Sequence, residues 1–146
     1  MTKPSLNVLR IAAASLAFGS FLACAQSLTF AEVKAHGAKA LSSSEVREVV
    51  SGAKTEFTGV NGSVRRWTNN PDGTFVASRD NGAVQRRSGR GTWSVNDDAA
   101  LCLTFDWGAM ETDNWCRQLY RVDDRYYAYG LDPKPETRSG RYLFTR

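Results

Sequence analysis

Apolar and polar residues change rhythm twice along this chain. A mainly apolar run, Ile11 to Leu22, comes first. From Leu28 to Gly52 apolar positions recur at helical spacing; from Lys54 onward they alternate in short stretches between turns. Thr29-Phe-Ala-Glu32 and Ser42-Ser-Ser-Glu45 have the form of capping boxes, in which the hydroxyl accepts from the third helical amide and the glutamate reaches back. Leu28/Val33 and Leu41/Val46 flank them as apolar staples, and Gly37 and Gly52 are left-handed stops. Two short helices are therefore expected, the second presenting Val46, Val49 and Val50 as one stripe.

The later region is punctuated by turn residues. Asn61-Gly62 and Asn81-Gly82 are two-residue hairpin signals, because Asn-Gly tolerates the positive φ such turns require. Asn70-Pro71-Asp72-Gly73, Asn96-Asp97-Asp98 and Asp123-Asp124 add further turns. The segments between them predict a mainly β protein. It is an antiparallel meander of about eight or nine strands, a small barrel or a sandwich, behind a short helical segment. Asp132 to Ser139 forms the one long loop.

Alternation also places individual side chains. In LCLTFDWGAMETDNWC, residues 101–116, Leu101, Leu103, Phe105 and Trp107 share one face, while Cys102, Thr104 and Asp106 share the other. A hairpin turning at Gly108–Glu111 sets Cys102 opposite Cys116 and Leu103 opposite Trp115. The next hairpin sets Tyr120 opposite Tyr127 and Leu131 opposite Cys116. The face bearing the cysteines then needs a cover, and the Val46/Val49/Val50 stripe is the nearest candidate. A two-residue turn at Asn61-Gly62 would set Phe57 opposite Arg66 and Glu56 opposite Trp67.

The composition changes this picture at the N-terminus. Lys3 and Arg10, the apolar run and Ala23-Cys24-Ala25 together have the pattern of a secretory signal peptide, residues 1–25, cut before Gln26. The run is too short to span a bilayer. The alternative is a lipoprotein anchored to the membrane through Cys24. However, Phe21 and Leu22 stand where a lipid-attachment box carries leucine and a small residue. Cleavage leaves residues 26–146, suited to one β-rich domain with a helical cap. It removes the odd cysteine, so Cys102 and Cys116 form an even pair that implies a disulfide in a periplasmic or secreted protein. It also removes Lys3 and Arg10, so the net charge falls from +4 to +2, and nucleic-acid binding loses its main support.

Candidate chemistry is sparse. The only histidine, His36, lies in the helical segment, which leaves no zinc-ligand spacing and no base for a serine or cysteine nucleophile. No metal, cofactor or catalytic residue is expected, and the protein reads as a non-enzyme. Asp106, Glu111 and Asp113 around one turn keep a carboxylate-dependent hydrolase as an alternative. Arg65, Arg66, Arg79, Arg86, Arg87 and Arg90 form the main basic cluster. Neighbours in a strand point to opposite faces, so part of this cluster must point inward. There it is either a solvated hairpin with packed stems or a binding position for an acidic or phosphate-bearing ligand.

The segments GTWSVNDDAALCLTF and WCRQLYRV, with LSSSEVREVVSG before and SGRYLFTR after, resemble a family of small exported bacterial proteins, domain of unknown function 995. Its most specific parts here are Gly91-Thr92-Trp93, Leu101-Cys102-Leu103 and Cys116. The resemblance covers nearly all of the mature chain and implies no activity. Gly91-Thr92-Trp93 is also similar to the Gly-x-Trp of lipocalin-type barrels, although there it opens the first strand. Ser139-Gly140-Arg141-Tyr142 is similar to the Ser-Gly-x-Tyr of periplasmic lysozyme inhibitors. The expectation is a binding or interaction module of the cell envelope that meets a protein or polymer, inhibitor-like through Ser139 and Tyr142. The alternative is a calycin-like carrier of a small anionic or aromatic ligand.

Overall fold

A computed structural model describes residues 27–80 and 86–146. The leader, Cys24 and the Asn81-Gly82 turn lie outside the described residues, as does the side chain of Arg86.

Both capping boxes form. Strand β1 (Leu28–Thr29) leads into α1 (Phe30–Ala35), whose Glu32 amide donates to Thr29 Oγ1 at 3.2 Å while Thr29 N donates to Glu32 Oε2 at 2.7 Å. Helix α2 (Ser43–Val50) repeats the device with Ser42 and Glu45. Gly37 and Gly52 close the two helical segments at φ 73° and 74°.

Eight strands then close into a barrel, which decides against the sandwich. They are β2 (Lys54–Thr58), β3 (Val64–Thr68), β4 (Thr74–Asp80), β5 (Arg86–Val95), β6 (Leu101–Asp106), β7 (Thr112–Val122), β8 (Arg125–Tyr129) and β10 (Arg141–Thr145). Each pairs antiparallel with its neighbour in the chain, and β10 closes the ring between β8 and β2. The remaining strand, β9 (Arg138–Ser139), leaves the ring to pair with β1.

An eight-strand barrel is just wide enough for side chains to fill it, and aromatic rings do so here. Trp67, Phe75 and Phe105 meet at centroid distances of 4.8 to 5.8 Å, and Tyr142 packs on Phe57 at 4.5 Å. Beneath Trp67, the fully buried Asn69 accepts from its indole N–H at 2.8 Å and donates to Thr55 Oγ1 at 2.7 Å. Glycine makes the room for these rings. A Cβ on Gly91 would strike the Phe75 ring, and one on Gly89 would lie 2.7 Å from the Trp107 indole.

Cys102 and Cys116 are direct partners in the β6–β7 ladder, as are Leu103 and Trp115, and the sulfurs are 2.02 Å apart. Three other expectations need correction. First, the Val46/Val50 stripe does not cover the cysteine face: it joins the barrel's inner core with Leu101, Leu103 and Leu119. Only Ser51 to Ala53 separate α2 from β2, so the helix reaches no farther than the barrel end where β2 begins, and it seals that end. The outer tyrosines, Tyr120, Tyr127 and Tyr129, are covered instead by Val33, Phe30 and Leu28 of the first helical segment. Second, Leu131 does not face Cys116. The β7–β8 ladder stops at Gln118 and Tyr129, and the chain turns away toward β9, leaving Leu131 exposed.

Third, the first hairpin is one residue out of the expected register. Gly59 N donates to Ser63 O and Gly62 N to Gly59 O, enclosing a three-residue loop with Gly62 left-handed at φ 80°. Phe57 therefore faces Arg65, and Glu56 faces Arg66. A one-residue slip exchanges the faces of a strand's side chains. Arg65 and Trp67 thus enter the barrel, while Arg66 stays outside, paired with Glu56 at 2.9 Å.

Candidate functional site

The barrel end opposite α2 is polar within. Arg65, Arg79 and Arg87 are successive cross-strand partners on β3, β4 and β5, so three guanidinium groups share one inner face. Like charges side by side repel and require counterions, which the β6–β7 turn supplies. Glu111 accepts from Arg79 Nη1 at 2.7 Å through Oε1 and from Arg87 Nη1 at 2.6 Å through Oε2. Asp113 Oδ2 lies 3.0 Å from Arg65 Nη1 and also accepts from the Trp107 indole N–H at 3.0 Å. The Arg79 hydrogen bond holds the Glu111 carboxyl below the usual range, helped by the charges of Arg79 and Arg87 against partial desolvation and the nearby Asp113.

Aromatic faces line the same cluster. The Arg65 guanidinium lies 5.5 to 5.6 Å from the rings of Phe105, Trp107 and Trp115, and that of Arg79 lies 4.8 Å from Trp107. These contacts bury Arg65 and Arg79 to 17% and 12% side-chain exposure. Among the described residues, their Nε–H groups are buried with no hydrogen-bond partner. Arg117, on the inner side of β7 opposite Leu101, stacks at 5.8 Å on Trp115 and forms no ion pair among the described residues. Tyr142 closes the floor. Burial pushes its phenol pKa up, against the pull of Arg117, Trp115 and Arg65.

The structure thus brings together Arg65, Arg79 and Arg87 of the six arginines in the expected cluster. Arg66 and Arg90 are on the outer face, the latter opposite Val76 and Asp106; Arg86 pairs in register with Asp80, and its side chain lies outside the described residues. Sequence reasoning missed Arg117, although the register that set Leu103 against Trp115 places Arg117 on the same face. Of the three carboxylates that kept a hydrolase as an alternative, Glu111 and Asp113 are both bound to arginine. Asp106, the third carboxylate, points outward and accepts from the amide of Gly108 at 2.9 Å.

Ser139 and Tyr142 do not form a contact loop. Ser139 Oγ accepts from Ala128 N at 3.0 Å and donates to Gly140 O at 2.8 Å, and Tyr142 stacks within the core. Both are 1% exposed. Tyr142 lies in the barrel core on β10, and Ser139 is buried on β9 where it pairs with β1 and bonds β8, so neither offers a side chain to a partner. The packed aromatic interior likewise fills the space a carrier's central cavity would need.

Among the described residues, no group of three or more His, Cys, Asp or Glu side chains is arranged to hold a metal ion. No described helix is long and apolar enough to cross a membrane. The disulfide is compatible with an oxidising compartment. No curated protein and no solved structure matches the chain. A family model does match residues 14–127, which take in the arginine cluster, its two carboxylates and both disulfide cysteines. The chain belongs to that family, described as protein of unknown function (DUF995).

Proposed function

We propose that this is an exported, non-enzymatic binding protein that takes an anionic group at the open end of the barrel, on Arg65, Arg79 and Arg87. The observation that carries this reading is the pair of buried Nε–H groups on Arg65 and Arg79 that have no partner among the described residues, in a cluster where three guanidinium groups face two carboxylates. Buried donors left unmade are costly, and an anion entering this end would satisfy them. Export is supported by the leader pattern and the disulfide, so the ligand is met in the envelope or outside the cell. A glycosidase-type acid needs a carboxyl with a raised pKa, whereas Glu111 is shifted the other way.

Tryptophan supplies the readout, because Trp107 and Trp115 touch the arginines. Titrating residues 26–146, disulfide intact, with benzoate and with inorganic phosphate should change the fluorescence saturably. Arg79→Gln should weaken binding at least about tenfold, equal to about 1.4 kcal/mol, and Arg66→Gln should not. Equal affinity in the Arg79→Gln variant would defeat this reading.

A further inference from the structure

We propose that Glu111 occupies the ligand's place, so that the group this site accepts is a carboxylate which displaces Glu111 from Arg79 and Arg87. This rests on the anion-binding reading above. Each oxygen of the Glu111 carboxylate is gripped by a different guanidinium, at 2.7 and 2.6 Å. The two arginines are therefore spaced for the two oxygens of one planar group. The seated group is itself a carboxylate, and each of its two oxygens meets one of the two arginines.

The turn that carries Glu111 is built to let go. Gly108, Ala109 and Met110 all have positive φ, at 78°, 50° and 65°. Left-handed backbone is unfavourable for residues with a Cβ, and it persists only where the surroundings hold it. Met110 is fully exposed, so no packing holds the tip down. What holds the turn is a pair of backbone hydrogen bonds, Trp107 N to Glu111 O and Glu111 N to Gly108 O, a side-chain bond from Gly108 N to Asp106, and the two ion pairs of Glu111. A ligand carboxylate that takes over both arginines removes those ion pairs and releases the turn. The external acid and Glu111 compete for one position, so the affinity measured for the wild type is reduced by the fraction of molecules in which Glu111 is seated.

The test uses benzoate as probe, with amide hydrogen exchange of residues 107–111 and tryptophan fluorescence as readouts. Benzoate should bind the wild type and speed exchange across 107–111. Glu111→Gln should bind benzoate at least tenfold more tightly, and benzoate should bind the wild type more tightly than phosphate does. If benzoate binds but leaves exchange unchanged or slower, Glu111 is a structural brace; this inference falls and the anion site stands. The same holds if Glu111→Gln binds no tighter. If neither protein responds to benzoate or phosphate, both readings fall together.

Discussion

Asn69 and Arg66 show how little a residue's type reveals about its weight in the fold. Asn69 is fully buried, and its amide bridges the Trp67 indole to Thr55 and to the carbonyl of Ala53. Asn69→Ala leaves a buried N–H and a buried hydroxyl without that partner, and should lower stability by about 1–3 kcal/mol in urea unfolding. Arg66 makes an ion pair of similar length with Glu56, but on the wet outer face. Arg66→Gln should therefore shift stability by no more than about 0.5 kcal/mol. Equal effects from the two variants would show that burial does not separate them.

Among the elements, the β6–β7 hairpin concentrates the most function in the fewest residues. Its ladder sets Cys102 against Cys116 outside and Leu103 against Trp115 inside, and its turn delivers Glu111 and Asp113 to the arginines. The staple closes a loop with a sequence separation of 14. Constraining such a loop in the unfolded chain is worth about 3 kcal/mol in the chain-entropy model. Reduction, or the Cys102→Ala/Cys116→Ala pair, should lower the unfolding free energy by about that amount. A loss well under about 1 kcal/mol would mean that the ladder alone constrains the hairpin. This element was legible in the sequence because its signals are local: strict alternation, a glycine turn and two cysteines in register. The β2–β3 hairpin was legible only in part. Asn61-Gly62 marked the turn, but whether the loop held two residues or three depended on Gly59 and Ser63 closing around it. That single residue decided which arginine went inside.

For the whole molecule, titratable groups set both ends of the stable pH range. Hydrogen bonds and ion pairs hold Glu32, Glu45, Asp72 and Glu111 below their ordinary values. The stability they contribute is present above their unfolded values, 4.5 for Glu and 3.8 for Asp, and is lost as pH falls through the folded values. Burial raises Tyr120, Tyr127, Tyr129 and Tyr142 above 10.0. Their contribution is complete below pH 10.0 and is lost as pH rises through the raised values. Thermal unfolding should therefore show a plateau, with the melting temperature falling below about pH 4.5 and again above about pH 10. Glu111→Gln should flatten the acid limb alone; an unchanged acid limb would show that Glu111 is not ion-paired in solution.

The sequence by itself determined the helix caps, the meander, the pairing of the two cysteines and the face on which each β6 side chain lies. All of these follow from interactions between residues close in the chain, where spacing alone carries the geometry. The tertiary structure decided that β10 returns to close a ring, that α2 seals one end, and that Ser139 and Tyr142 are internal. It also brought Arg65, Arg79 and Arg87 to one mouth. Those outcomes depend on pairings such as Tyr142 with Phe57 and Tyr126, between residues far apart in the chain. No local pattern specifies such pairings. Closure is also what makes one face of the sheet the inside, and so turns a scatter of arginines into a site.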